Sequence, residues 1–175
     1  ERVLSLLAQV QLPDPEQLLR RYPHQLSGGQ QQRVLIASAI ACDPKLLIAD
    51  EPTTALDVTV QEGILELLVQ LSDERGMGVL FVSHDLGVVQ FVCEEIAVVY
   101  GGRLVEVGPT TAVVRTSRHR YTESLLAANP GIAESHELEE YVGRRFNVIR
   151  GSVPALGDFP TGCRFRDRCD FASDA

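Results

Sequence analysis

Two short apolar runs, KLLIAD (Lys45 to Asp50) and VLFVS (Val79 to Ser83), flank one long amphipathic stretch, and that order constrains the chain more than any other feature. Each run is too short for a helix and lacks polar alternation, the pattern of a strand buried on both faces of a parallel sheet. Between them Val60, Ile64, Leu67, Leu68 and Leu71 share one helical face, with Asp57 placed to cap its start and Gly76 to end it. The segment therefore reads as strand, helix, strand. A further apolar run, Glu95 to Tyr100, meets GGRLVEVG (Gly101 to Gly108), where two glycines followed by alternation predict a hairpin at a sheet edge.

Around this α/β centre the texture differs. Val3, Leu6, Leu7 and Val10 have helical spacing, Pro13 to Pro15 interrupt it, and Glu16 to Arg21 form a second short helix. Beyond Pro109 short helices are expected near Thr110 to Arg115 and Tyr121 to Ala128, then a break at Asn129-Pro130-Gly131, where the core is expected to end. Gly151 to Ala175 is rich in Gly, Pro and Asp, so it reads as an irregular appendage that needs an outside tie.

The charge balance, 24 acidic against 16 basic residues and no Lys/Arg-rich run, argues against a duplex-binding protein, so nucleic acid is not expected as a partner. The longest apolar runs, such as Val34 to Cys42, fall short of the roughly 20 residues that span a bilayer. No signal-peptide pattern is present, which points to the cytosolic side, and Cys42 and Cys93 then read as reduced, buried small hydrophobes. His119 and His136 read as solvent-exposed, and His24 as a loop group supporting the turn that follows it. The chain opens on Glu1 rather than a methionine and stops at Ala175, as a piece of a longer protein would.

Open α/β sheets hold ligands beyond the carboxyl ends of their strands. Here those ends carry Asp50-Glu51 and Ser83-His84-Asp85. Adjacent carboxylates behind an apolar strand can hold Mg²⁺, through Asp50, and face the attacking water of phosphoryl transfer, through Glu51. Alone, the same pair is equally a solvated strand end. Further upstream, LSGGQ (Leu26 to Gln30) opens a helix whose apolar residues run from Val34 to Ala41. A helix N-terminus binds anions; Ser27 would add a hydroxyl, Gly28 and Gly29 would let a phosphate approach closely, and Gln30 would add an amide. The plainer alternative is a serine N-cap with flexible glycines.

Taken together and in order, these stretches resemble the ATP-binding subunits of ABC transporters. LSGGQ (Leu26 to Gln30) is similar to the family's signature, LLIADEP (Leu46 to Pro52) to its Walker B with a catalytic glutamate, ALD (Ala55 to Asp57) to its D-loop, and His84 to its switch histidine. YPHQLSGGQQQR (Tyr22 to Arg33) and GCRFRDRC (Gly162 to Cys169) look most like dipeptide, oligopeptide and nickel importers. The resemblance implies the second half of a P-loop NTPase core with a parallel sheet. On that basis 1–26 would be the end of a helical subdomain, 27–110 the ATPase core, 111–150 C-terminal helices and 151–175 a cysteine-containing extension. It further implies ATP and Mg²⁺ as cofactors, with Glu51 as general base or water positioner, His84 on the γ-phosphate, Asp50 on Mg²⁺ and Asp57 coupling two sites. Residues 27–30 would act in trans on nucleotide held by a second ATPase subunit. Transmembrane permeases and, indirectly, an external substrate-binding protein are the other implied partners, at the cytoplasmic face of the membrane.

One departure is large: the sequence nowhere contains G-x-x-x-x-G-K-[ST], the loop that cradles phosphates, so these residues alone are expected to lack ATPase activity. Cys163 and Cys169, flanked by Arg164, Arg166 and Arg168, lack the C-x-x-C spacing of common zinc sites, and two thiols complete no closed metal site. In the importers this tail is associated with an iron–sulfur cluster, which makes both residues candidate ligands, with a third cysteine expected just after Ala175. Two rival functions stay open: a soluble ABC-type ATPase acting on DNA or ribosomes, and a metal-carrying regulatory module on a degenerate ATPase.

Overall fold

The computed structural model describes residues 1–128, 148–155 and 157–173, which fall into two compact units, Glu1–His84 and Asp85–Ala175.

The first unit begins with helices α1 (Arg2–Gln9) and α2 (Pro15–Leu18), a 3-10 turn at Pro23–Gln25 and helix α3 (Gly28–Ile40). Strand β1 (Leu46–Asp50), helix α4 (Val58–Arg75) and strand β2 (Gly78–Val82) complete it. As the sequence predicts, β1 and β2 are parallel neighbours, in register from Leu46 opposite Gly78 to Asp50 opposite Val82. Asp57 caps α4 by accepting from the Val60 N–H at 3.0 Å. Gly76 ends the helix with φ 57°, a left-handed conformation that a residue without Cβ adopts at no steric cost.

One core serves the unit. Leu7, Val10, Leu12 and Leu18 from the opening helices join Ile36, Ala37 and Ile40 of α3, Leu47 and Ala49 of β1, and Ile64, Leu67, Leu68 and Leu71 of α4. Within this chain the expected burial of the strands is seen on one face only: Leu47 and Ala49 point into the core, whereas Ile48 is 63% exposed and Leu80 is 51% exposed. Arg75 stitches the far end of the unit, donating to Asp43 Oδ1 at 2.7 Å and to Gln9 Oε1. Cys42 is exposed, not buried as expected.

The second unit holds α5 (Leu86–Val92), β3 (Glu95–Tyr100), β4 (Arg103–Pro109), α6 (Thr110–Arg115) and α7 (Arg120–Ala127). β3 and β4 form the expected antiparallel hairpin, turning through Gly101 and Gly102, both at positive φ. That pairing matches the twist of the flanking strands, and it is why the turn calls for two glycines. Cys93 is half-buried, which pushes its thiol pKa up.

The core does not end near Ala128. Phe165 is 2% exposed and meets Tyr100 edge-on, with ring centroids 5.3 Å apart, while Tyr121 lies the same distance from Phe165. Arg168 then draws three backbone carbonyls of the appendage together, those of Ile149, Arg150 and Gly151. Its guanidinium also donates to the Tyr100 hydroxyl at 3.3 Å. The predicted break at Asn129 to Gly131, His136 and residues 129–147 of the expected helical segment 111–150 lie outside the described residues.

Candidate functional site

All the nucleotide-facing candidates lie in the first unit, and the closest association among them is between Glu51 and His84. The ladder of β1 and β2 runs one bond past the strands, the Glu51 N–H donating to the Val82 carbonyl at 2.9 Å. There the chain turns sharply, with Glu51 at φ 48° and Ala55 at φ 63°, uncommon values for residues that carry a Cβ. This turn swings the Glu51 carboxylate across to the other strand. Oε1 meets His84 Nδ1 at 2.7 Å and accepts from the His84 backbone N–H at 3.2 Å; Oε2 accepts from the Thr54 hydroxyl at 2.8 Å. The hydrogen bond from His84, then that from Thr54, hold the Glu51 carboxyl below the usual glutamate range, so it is ionised at neutral pH.

Thr54 was invisible as a site residue in the sequence. Its signal is the spacing: three residues after Glu51 in a tight turn, its hydroxyl returns to the carboxylate. Asp50 sits beside this pair as the exposed last residue of β1. A carboxylate there, next to a second one, is the hard oxygen donor set that Mg²⁺ takes.

The Ser27–Gln30 turn is a capping box. Ser27 Oγ accepts from the Gln30 N–H at 3.3 Å, and Gln30 Oε1 accepts from the Ser27 N–H at 3.1 Å. The glutamines around it brace the same turn: Gln31 donates to the Pro23 and Leu26 carbonyls, and Gln25 Oε1 accepts from the Tyr22 N–H. His24 stacks on Tyr22, with the planes 5° apart. The serine N-cap and the anion-binding reading are thus not exclusive: the side chains hold the turn, and the first N–H groups of α3 remain oriented along its axis. Asp57 is exposed at the start of α4, its Oδ1 engaged in the cap.

The cysteines of the second unit give the iron–sulfur expectation no support by themselves. Cys163 is exposed and its Sγ lies 3.7 Å from His119 Nε2; Cys169 is half-buried. Among the described residues no group of three or more His, Cys, Asp or Glu side chains could hold a metal ion. Phe165 and Arg168 supply a tie for the appendage. His119 is likewise not a free surface group: it is half-buried, and its Nδ1 accepts from the Tyr121 N–H at 3.1 Å.

Residues 1–54 match the ABC transporter family model, and residues 105–175 match that of the oligopeptide/dipeptide transporter C-terminal region. A Brucella ovis protein named for peptide import and ATP binding is 49% identical over 175 residues, all of this chain and 52% of its own length. The dipeptide transport ATP-binding protein DppD of Escherichia coli K12 is 48% identical over 174 residues, 99% of this chain and 51% of that protein. The chain therefore spans about half the length of the curated relatives it matches. Among solved structures, a dimeric post-hydrolysis ATP-binding cassette bound to ADP and Pi is similar at TM-score 0.54 and 39% identity, over 62% of this chain and 46% of that one. Along its whole length the chain is thus similar to one half of ATP-binding proteins of the ABC transporter family.

Proposed function

We propose that this chain carries the signature half of an ATPase subunit that powers an importer of di- or oligopeptides. The observation that carries the reading is the Glu51–His84 pair, one residue past the end of β1 and two past the end of β2, beside the exposed carboxylate of Asp50. The relatives' names, peptide import and dipeptide transport, support the substrate class. Segments 1–26, 27–110, 111–150 and 151–175 keep the roles of helical subdomain, ATPase core, C-terminal helices and extension.

Bound Mg-ATP would supply the transferable phosphoryl group and the metal's charge; the residues here supply orientation. Glu51 is ionised and held at both oxygens, which suits it to fix and deprotonate a water at a defined place. His84 Nδ1 is engaged by Glu51, and His84 would contact the γ-phosphate. Asp50 would serve Mg²⁺, and Asp57 would couple the two halves of an ATPase dimer. Ser27 to Gln30 would present backbone N–H groups to nucleotide held by a second ATPase subunit.

No described helix is long and apolar enough to cross a membrane. Association with the membrane's cytoplasmic face would run through permease subunits, and substrate would be delivered to them by an external binding protein. The test is magnesium-dependent ATP turnover by the full-length subunit with its permeases, against residues 1–175 alone, whose sequence holds no G-x-x-x-x-G-K-[ST] motif. Turnover by residues 1–175 alone, or none by the assembled subunit, would sink the proposal.

A further inference from the structure

We infer that Val60 is a positioning residue for the Ser27–Gln30 turn, and that Gly29 is a glycine so that the start of α3 can press on Val60. The inference deepens the nucleotide reading above and rests on it. A methyl group on Gly29 would lie 2.5 Å from Val60 Cγ1, and one on Gly28 would lie 3.2 Å from Leu56 Cδ2. Both missing side chains therefore point into the chain's own first unit, where α4 begins. Val60 has little freedom to yield, because a β-branched side chain in a helix keeps essentially one rotamer. Its own N–H is held by Asp57 Oδ1 at 3.0 Å, so the seat is fixed to the α4 cap.

One turn further along, the contact repeats with the roles reversed. A methyl group on Gly63 of α4 would lie 3.2 Å from Arg33 Nη2 of α3, and through that gap Arg33 donates to the Gly63 carbonyl at 3.2 Å. The other arm of the same guanidinium donates to the Val10 carbonyl at 2.8 Å, tying in the end of α1. From Gly29–Val60 to Arg33–Gly63 both helices advance in the same direction, so their N-termini lie side by side. The Ser27 turn and the Asp57 turn thus move as one body, and a ligand that engages either is registered against the other. Two bare positions on opposite helices, each facing a long or branched side chain, are what such a seam requires.

The test is a double-mutant cycle in the full-length subunit, read by thermal unfolding and by ATP turnover. Gly29→Ala is expected to lower Tm by about 2–6 °C through overpacking and to slow turnover by roughly 10²-fold through a misplaced turn. Adding Val60→Ala removes the obstructing methyls. The double variant should regain at least half of the Tm loss and come within about tenfold of the unsubstituted turnover, a partial release of the misplacement penalty. Recovery of Tm without recovery of turnover would assign Gly29 to the nucleotide side and overturn the inference, as would no loss in Gly29→Ala or no recovery of either quantity. Val60→Phe with Gly29 in place is a second arm that pushes on the same turn; undiminished turnover there also overturns it. If the unsubstituted subunit hydrolyses no ATP, the nucleotide reading fails by itself, and the thermal arm alone decides the Gly29–Val60 seat.

Discussion

Glu51 Oε1 and His84 Nδ1 lie 2.7 Å apart, joining the carboxyl ends of β1 and β2 by a side-chain bond directly above the last backbone rung, from the Glu51 N–H to the Val82 carbonyl. The left-handed backbone at Glu51 makes this possible. With Thr54 on the second oxygen, the carboxylate is held at both ends and has little freedom to reorient.

In a full-length subunit Glu51→Gln is therefore expected to retain nucleotide binding while hydrolysis falls by roughly 10²–10⁴-fold, the scale of a lost general base. Single-turnover hydrolysis beside equilibrium nucleotide binding separates the two effects. Equal loss of binding and hydrolysis would make Glu51 a scaffold residue.

The Glu51 carboxyl should titrate below an ordinary glutamate in an NMR pH series, and His84→Ala should move its midpoint up, because the first cause of the shift is the His84 hydrogen bond. A group whose pKa is lowered in the folded state contributes stability above the ordinary glutamate value and loses it as pH falls through the folded one. The contribution of Glu51 is correspondingly expected to be present at neutral pH and to be lost only on the acid side, and a midpoint that ignores His84→Ala would contradict the pairing.

Phe165→Ala should cost about 3–5 kcal/mol in urea unfolding of the chain, the usual range for a buried aromatic, since Phe165 closes the cluster with Tyr100 and Tyr121. Cys163→Ser and Cys169→Ser should each cost less than about 1 kcal/mol, as exposed or half-buried positions normally do. A larger loss at the cysteines than at Phe165 would restore a metal or thiol tie for the appendage.

Two left-handed glycines should respond differently to alanine. At Gly76 an added methyl meets nothing within 4 Å, leaving only the backbone penalty of about 1–2 kcal/mol. At Gly101 the methyl would also lie 2.6 Å from Phe159, so Gly101→Ala should lose about 1–3 kcal/mol more in the same unfolding assay.

Asp57→Asn should keep the α4 cap and stay within a few tenths of a kcal/mol, whereas Asp57→Ala should lose about 1 kcal/mol. Because only the charge differs between aspartate and asparagine, a drop in turnover for Asp57→Asn at unchanged stability would support coupling between sites, and parallel behaviour would reduce Asp57 to a cap.

Periodicity and punctuation alone determined the order of elements in the first unit: an apolar run, a helix bracketed by Asp57 and Gly76, and a second apolar run admit few arrangements. The hairpin at Gly101–Gly102 was equally readable, since two successive positive φ values select glycine. The residue types of the candidate site were also on the page of the sequence, at the ends of the runs. Only the tertiary structure decided what those residues touch. The Glu51–His84 bond depends on a strand register between residues 33 apart in the chain, and the bare face of β1 and β2 depends on which elements pack there. The missing side chain of Gly29 turns out to face Val60, and the appendage is tied by Phe165. Local propensity acts over a few neighbouring residues, whereas these contacts are set by close packing between distant segments, where a single methyl group decides whether two helices can meet.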